Sequence, residues 1–323
     1  MKISVVVPCY NSAAFIIETI SSLTNQTHQD LEIICVNDGS SDNTLRILEE
    51  FRKKDNRIII LNKHNGGIES ALKLAVKHIK GYYTFLIGHD DTLSPETFEL
   101  AVQAFNNDNI DAVRVQLIPY DKENNKYKSF TDSEILTGID SLKKTIMMWE
   151  VHNFLLWKSE IFKKIVDVNT NGLMNYDELA TRYLYTKCKY IGTCKGKYYY
   201  QQHPESVTKK LTPRIIDTFA IDVHIKKLLQ DINLYHEFED AFESYMFKRL
   251  KKATETYYAL KSSGHIMKKR DLTKLKSIYS NINYSKVTLQ VSKFEKIKFK
   301  LLYSIFPLYL IINKKKYAKS TSN

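Results

Sequence analysis

Tyr82-Tyr83-Thr84-Phe85-Leu86-Ile87-Gly88-His89-Asp90-Asp91 is a run of apolar and aromatic residues that stops at two adjacent carboxylates. An unbroken run of this kind reads as a strand buried on both faces, the kind found in parallel sheets covered by helices. In open α/β sheets ligands collect at the carboxyl ends of the strands. Vicinal aspartates there are hard oxygen donors suited to Mg2+ or Mn2+. The same residues also read as a turn feeding a helix, with Ser94 as N-cap and Pro95 at the first helical position. The neighbouring segments decide between the two.

Upstream, residues 3–7 form an apolar strand, Pro8-Cys9-Tyr10-Asn11 a turn, and residues 12–24 a helix with Phe15, Ile16, Ile20 and Leu23 on one face. Residues 31–36 form a second strand ending in Asn37-Asp38-Gly39-Ser40-Ser41-Asp42, followed by a helix bearing Leu45, Ile47, Leu48 and Phe51. Residues 57–61 form the third, Asn65-Gly66-Gly67 its turn, and Ile68, Ala71, Leu72, Ala75, Val76 and Ile79 the face of a third helix. Repeated strand–helix units that enter their helices at one edge predict a doubly wound α/β half-domain. No Gly-x-Gly-x-x-Gly occupies the first turn, which argues against a dinucleotide oxidoreductase. Asp38 reads either as a turn residue before Gly39 or as an acceptor for a base N–H or a ribose hydroxyl.

These turns, in this order after Val6-Val7-Pro8-Cys9-Tyr10-Asn11, resemble glycosyltransferase family 2, the inverting nucleotide-sugar transferases of the GT-A fold. The resemblance implies a mostly parallel central sheet with helices on both faces, a UDP-sugar donor and a Mn2+ or Mg2+ cofactor. It places Pro8 and Tyr10 against the base, Asp38 on the uracil, Asp90 near the ribose and Asp91 on the metal. Gly88 stands where an Asp is common in this motif, and His89 reads as structural. The third helix carries Leu72 where many relatives have an Arg, beside Lys73, which reads as a solvated helix residue or as one that takes over a contact to the diphosphate.

Residues 111–119 read as another strand and 120–134 as a polar excursion over the acceptor side; residues 140–149 read as a helix and 152–157 as the returning strand. In Asn175-Tyr176-Asp177-Glu178 the resemblance assigns Asp177 as the base that takes a proton from the acceptor hydroxyl, with Glu178 as fallback. Read without it, both acids simply favour a helix N-terminus. Tyr176 replaces the usual preceding Glu. Residues 190–194 and 197–201 suggest two short strands, and Tyr198-Tyr199-Tyr200-Gln201-Gln202-His203 resembles the family's Tyr-x-Tyr-Arg motif with Gln201 in place of Arg. His203 is a further metal or phosphate ligand, or an ordinary loop histidine.

The 323 residues carry a formal net charge of +12, unevenly spread. From Lys248 onward there are 19 Lys+Arg against 3 Asp+Glu, leaving the first 247 residues at about −4. A basic appendage of this kind argues against a nucleic-acid enzyme, which surrounds its cleft with positive charge. Residues 293–316 set Tyr, Phe and Leu among lysines, with Pro307 interrupting a stretch too short to span a bilayer. That pattern fits a helix on an anionic membrane surface, or packing on the protein or on a second copy in a homo-oligomer. The four cysteines show no zinc or redox spacing, and no signal peptide is visible at the N-terminus.

The expected organisation is a catalytic domain over residues 1–212, with a nucleotide-binding half (1–95) and an acceptor half (96–212), followed by a basic helical region over 213–323. The expected protein is a cytoplasmic enzyme, peripheral on the inner face of the cell membrane. It would pass a sugar from a UDP-sugar to a glycan or polyprenyl-linked acceptor in capsule, lipopolysaccharide or teichoic-acid assembly. A non-catalytic GT-A-like binding module is the alternative that Leu72 and Gln201 keep open.

Overall fold

The computed structural model describes residues 1–105, 109–120, 135–147, 154–201 and 212–288. The polar excursion at 121–134, His203 and the basic stretch 293–316 lie outside the described residues. The chain divides into two compact units, Met1–Gly172 with Tyr176–His203, and Leu173–Asn175 with Pro204–Asn323.

The first unit is the expected α/β half-domain and its continuation. It runs β1 (Ile3–Cys9), α1 (Ile16–Thr24), β2 (Leu31–Asp38), α2 (Thr44–Lys54), β3 (Ile58–Lys63), α3 (Gly67–Val76), β4 (Tyr83–Leu86), β5 (Thr92–Leu93) and α4 (Thr97–Gln103). Then follow β6 (Ile110–Tyr120), β7 (Leu136–Thr137), α5 (Gly138–Lys143), β8 (Leu155–Lys158), α6 (Ser159–Phe162), α7 (Tyr176–Tyr185) and β9 (Tyr190–Gln201). One sheet has the order β3-β2-β1-β4-β8-β6-β9-β5, with β7 also paired to β9. β3, β2, β1 and β4 are parallel, β8 is antiparallel to both neighbours, and β6 and β9 are parallel again. The register Cys9↔Asn37 and Val6↔Leu86 brings the carboxyl ends of β1, β2 and β4 to one edge.

The central strands are apolar on both faces because both are covered. Ile3, Val5, Val7 and Cys9 pack with Ile16, Ile20 and Leu23 of α1, Leu48 of α2 and Phe98 of α4. Full burial of one such aliphatic or aromatic side chain contributes about 1.5–3 kcal/mol. The alternate residues Ser4 and Val6 are buried too, on the face where α3 packs against β1 and β2. On that face the Ser4 hydroxyl donates to Glu32, whose carboxylate also accepts from the backbone of Lys80 (2.6 Å) and Gly81 (3.1 Å).

Three local expectations are corrected. The helix after Asp91 starts at Thr97 rather than Pro95, because Thr92–Leu93 pair with Tyr198 and Tyr199 of β9 and Ser94 donates its N–H to the Lys197 carbonyl (3.0 Å). Residues 190–201 make one strand of 12 residues instead of two, and register shifts along β6 absorb its irregularity. The helix expected over 140–149 is α5, which starts at Gly138 and has Thr137 as its N-cap, accepting from Asp140 N at 3.0 Å.

The second unit is helical as expected, with α8 (Asp217–Asp231), α9 (Glu239–Ser262) and α10 (Lys269–Ser280). Among the described residues no helix is long and apolar enough to cross a membrane. Its core, built from Ile221, Ile225, Phe242, Met246, Leu250 and Leu275, encloses the Glu243 carboxylate. Glu243 accepts from Lys226, from the Tyr235 hydroxyl and from Asn283 N (2.7 Å). Removing one partner of a buried pair leaves the other charge uncompensated. Glu243→Ala therefore costs about 3–5 kcal/mol, read as a loss of helical signal at lower urea by circular dichroism, and Lys226→Met in the same chain recovers part of it.

Candidate active site

Asp38, the last residue of β2, is nearly fully buried and its carboxylate is already at work. It accepts from Gly66 N (2.9 Å), from Gly67 N (2.7 Å) and from the Lys63 ammonium. The first two are N–H groups at the start of α3, where a negative charge also complements the helix dipole. A carboxylate offers about four lone-pair sites, so one remains for an outside donor. Gly39 follows at φ +70°, and a Cβ there would lie 2.6 Å from Asn65 N, so the two turns touch through backbone alone. Lys63 escaped the sequence reading; its only signal is the register Asp38↔Lys63, which strand pairing reveals.

The first turn is latched by the second. Asn11, left-handed at φ 48°, donates its N–H to Ser40 Oγ (3.0 Å) and accepts at Oδ1 from Ser41 N (2.8 Å). Ser12 N donates to Thr44 Oγ1 (2.8 Å) and Ala13 N to Asp42 Oδ2 (3.0 Å). Burial pushes the Asp42 carboxyl up, but the hydrogen bonds from Thr44 and Ala13 outweigh it and hold it below the usual range. Tyr10 is left 48% exposed beside this latch, and Pro8 is half-buried. His89 Nδ1 lies 3.2 Å from the Pro8 carbonyl oxygen, and Thr19 Oγ1 donates to the His89 carbonyl at 2.9 Å. The imidazole thereby joins the acidic motif to the first turn.

Asp90 and Asp91 follow β4 and converge. A Cβ placed on Gly88 would lie 2.6 Å from Asp91 Oδ2 and 2.9 Å from Asp90 Oδ1, so both carboxylates crowd the space that glycine leaves open. Asp91 is buried; Oδ2 accepts from the Tyr198 hydroxyl and Oδ1 from Gln201 N (2.9 Å), both on β9. Burial first, then the neighbouring Asp90, push its carboxyl up to about 7, against the lowering effect of those two donors. Tyr198, stacked on Phe154 at 3.8 Å, also accepts from Gly88 N at 3.2 Å. Tyr198 stood in a quoted motif but was not among the expected site residues.

Asp177 and Glu178 lie on a separate element, in the first turn of α7, which packs against α3 and α5. Burial, followed by Glu178, pushes the Asp177 carboxyl up to about 6; hydrogen bonds from backbone N–H groups and the charge of Arg182 act the other way. Arg182 pairs with Glu178 at 3.5 Å and donates to the Thr145 carbonyl. Tyr176 is fully buried, donating its hydroxyl to the Ile165 carbonyl, and is a packing residue. Leu72 is likewise core. Lys73, expected to be solvated, is half-buried and ion-paired to Glu69 at 2.7 Å. Gln201 reaches Glu18 at 3.2 Å with its side chain while its backbone holds Asp91. A cavity of about 550 Å³ runs along α3 between Lys63 and Lys77 and contains none of the expected donor residues.

A family model described as glycosyl transferase family 2 matches residues 4–176. The chain belongs to glycosyltransferase family 2. It is 29% identical over 247 residues to an uncharacterized glycosyltransferase, EpsJ, of Bacillus subtilis, covering 71% of this chain and 67% of EpsJ. It is 42% identical over 106 residues to chondroitin synthase of Pasteurella multocida, 33% of this chain and only 11% of that much longer protein. Among solved structures, S. aureus TarS 1-349 in complex with UDP-GlcNAc superposes with a TM-score of 0.65 at 19% identity, covering 99% of this chain and 92% of that one. A mannosyltransferase of Pyrobaculum calidifontis in complex with GDP-Man and Mn2+ follows at 0.52 and 13% identity, covering 98% and 84%. The fold is GT-A, and this family 2 member is a glycosyltransferase.

The phenol of Tyr198 is one of two donors that hold the buried Asp91 of this glycosyltransferase in place. Tyr198→Phe removes that donor and strands a buried acceptor, an effect of about 1–3 kcal/mol. We expect a lower melting temperature for Tyr198→Phe in thermal denaturation. Gln201→Ala, which keeps the backbone N–H, leaves it nearly unchanged.

Proposed function

We propose that this glycosyltransferase moves a sugar from a UDP-sugar to a hydroxyl of a polysaccharide or lipid-linked glycan, with inversion at the anomeric carbon. The observation that carries the reading is the convergence of Asp90 and Asp91 over Gly88, at the strand edge that also bears Asp38. Among the described residues no cluster of three His, Cys, Asp or Glu side chains could hold a metal. Two carboxylates suffice where phosphate oxygens complete the shell, as Mg2+ commonly requires, and the paired charges of Asp90 and Asp91 favour a divalent cation. The donor set therefore fits Mn2+ or Mg2+, with Asp91 as ligand and Asp90 beside it. The bound metal would supply charge neutralisation on the departing diphosphate.

In this reading Asp38 uses its remaining lone pair on the uracil, while Pro8 and Tyr10 offer a surface to the base. Asp177 takes the proton of the acceptor hydroxyl as that oxygen attacks, and Glu178 is engaged by Arg182 instead. TarS crystallised with UDP-GlcNAc and a relative named chondroitin synthase support the donor and acceptor classes. The site of action is the cytoplasmic face of a membrane. Supporting it are the 19 basic against 3 acidic residues from Lys248 on, since each Lys near anionic headgroups is worth about 1 kcal/mol.

Calorimetric titration of UDP with Mn2+ is expected to show binding that Asp91→Asn loses; no binding under either condition would overturn the donor reading. Asp177→Asn, still folded and still binding UDP, should lower sugar transfer by about 10²–10⁴-fold. The base must be ionised, and its folded pKa of about 6 lies above the ordinary carboxylate value. With Mn2+ saturating, so that Asp91 stays ionised, turnover should therefore be flat above that pH and fall about tenfold per unit below it. Retention on phosphatidylglycerol vesicles at low salt, released at high salt, is expected for the whole chain.

A further inference from the structure

We propose that Glu69 is a positioning residue: its carboxylate ties α3, the helix capped by the donor-side Asp38, to residues 170–172, and so sets where α7 presents Asp177. This rests on the reading of Asp177 as the base. Glu69 is the third residue of α3 and is buried. Its Oε2 accepts from Thr170 Oγ1 (2.7 Å), Thr170 N (3.2 Å) and Gly172 N (3.3 Å), and its Oε1 from Lys73 Nζ (2.7 Å). Burial pushes the Glu69 carboxyl up, but Lys73, Thr170 and the two backbone N–H groups outweigh it and hold it below the usual range.

The clamped residues form a tight turn, in which Asn171 N also donates to Asn169 Oδ1 at 2.9 Å. Asn171 (φ 53°) and Gly172 (φ +76°) are successive left-handed residues, a turn that Asn-Gly adopts readily, so the clamp fixes where this turn sits rather than its conformation. Thr170 is almost completely buried, and α7 begins at Tyr176, whose hydroxyl is anchored to the Ile165 carbonyl. Asp177 therefore stands five residues beyond Gly172, on a helix that packs against α3 itself. Four donors need both oxygens of a carboxylate; a glutamine has one acceptor oxygen and would turn an NH2 toward either Lys73 or Thr170. Loss of the clamp should misplace the base, and displacements near 1 Å cost about 10²-fold.

The test combines hydrogen exchange with kinetics, using UDP-GlcNAc hydrolysis with Mn2+ as the probe reaction. Glu69→Gln should raise exchange of the Thr170 and Gly172 amides at least tenfold and leave UDP affinity within twofold. It should lower kcat roughly 10–100-fold in the otherwise native chain and cause no further loss in the Asp177→Asn background. Unchanged exchange would overturn the clamp. An equal further loss in the Asp177→Asn background would overturn the positioning role, since it would show Glu69 acting independently of the base. If the native chain hydrolyses no UDP-GlcNAc while exchange still rises in Glu69→Gln, the clamp stands as a structural joint. The catalytic reading of both residues fails only if UDP itself also does not bind with Mn2+, the result that overturns the donor reading.

Discussion

The carboxylate of Asp38 does two jobs that a sheet edge needs done at one place. It ends β2 inside the core, where an unpaired anion would be costly, and it satisfies the first N–H groups of α3, which would otherwise be orphaned there. Lys63 supplies the compensating charge from the neighbouring strand. Because α3 starts on Asp38, its register is set by the end of β2: Leu72 and Ala75 face the core, while Glu69 and Lys73 line the outer side with Gly172. Leu72, where the resemblance leads one to expect an Arg, is thus a core residue.

The second constraint runs across the sheet. β9 is more than one hundred residues beyond β4, yet it supplies both donors to Asp91, one from the Tyr198 phenol and one from Gln201 N. Through Tyr198 it also fixes Gly88 N. An acidic pair at the end of one strand thus depends on a much later strand for its geometry. Gly88 is part of the same arrangement, because any side chain there would occupy the space into which the two carboxylates point. Gln201, which reads as a lost cation, contributes through its main chain, and the loss of the Arg side chain leaves that hydrogen bond intact.

The parallel half of the fold was legible because its signals are local: apolar runs buried on both faces, amphipathic helices, and turns rich in Asn, Asp, Gly and Ser. Asp38, Asp90, Asp91 and Asp177 stand at element ends that such signals locate. What escaped depends on pairing between distant segments. Thr92–Leu93 is too short to register as a strand and exists because β9 lies beside it. β9 looked like two strands because Lys195-Gly196 interrupts its pattern, and only its ladder with β6 makes it one. Tyr198 and Lys63 belong to the site by register, and Glu69 by a contact spanning one hundred residues, none of which leaves a periodic trace.

Two carboxyls of the site, Asp91 and Asp177, are raised for the same leading reason, burial, and by the same secondary one, an adjacent acid. Their surroundings nonetheless differ in a way that fits the two roles proposed for them. Asp91 has both oxygens oriented by fixed donors and its partner acid converging on the same space, an arrangement that a divalent cation relieves and a proton only half relieves. Asp177 has its neighbouring acid drawn off by Arg182, which leaves one carboxyl near the pH at which it can both lose and take up a proton. A ligand wants its charge held in place, whereas a base wants its charge easily neutralised. Under the proposed assignment, different neighbours around the same side chain answer the two demands.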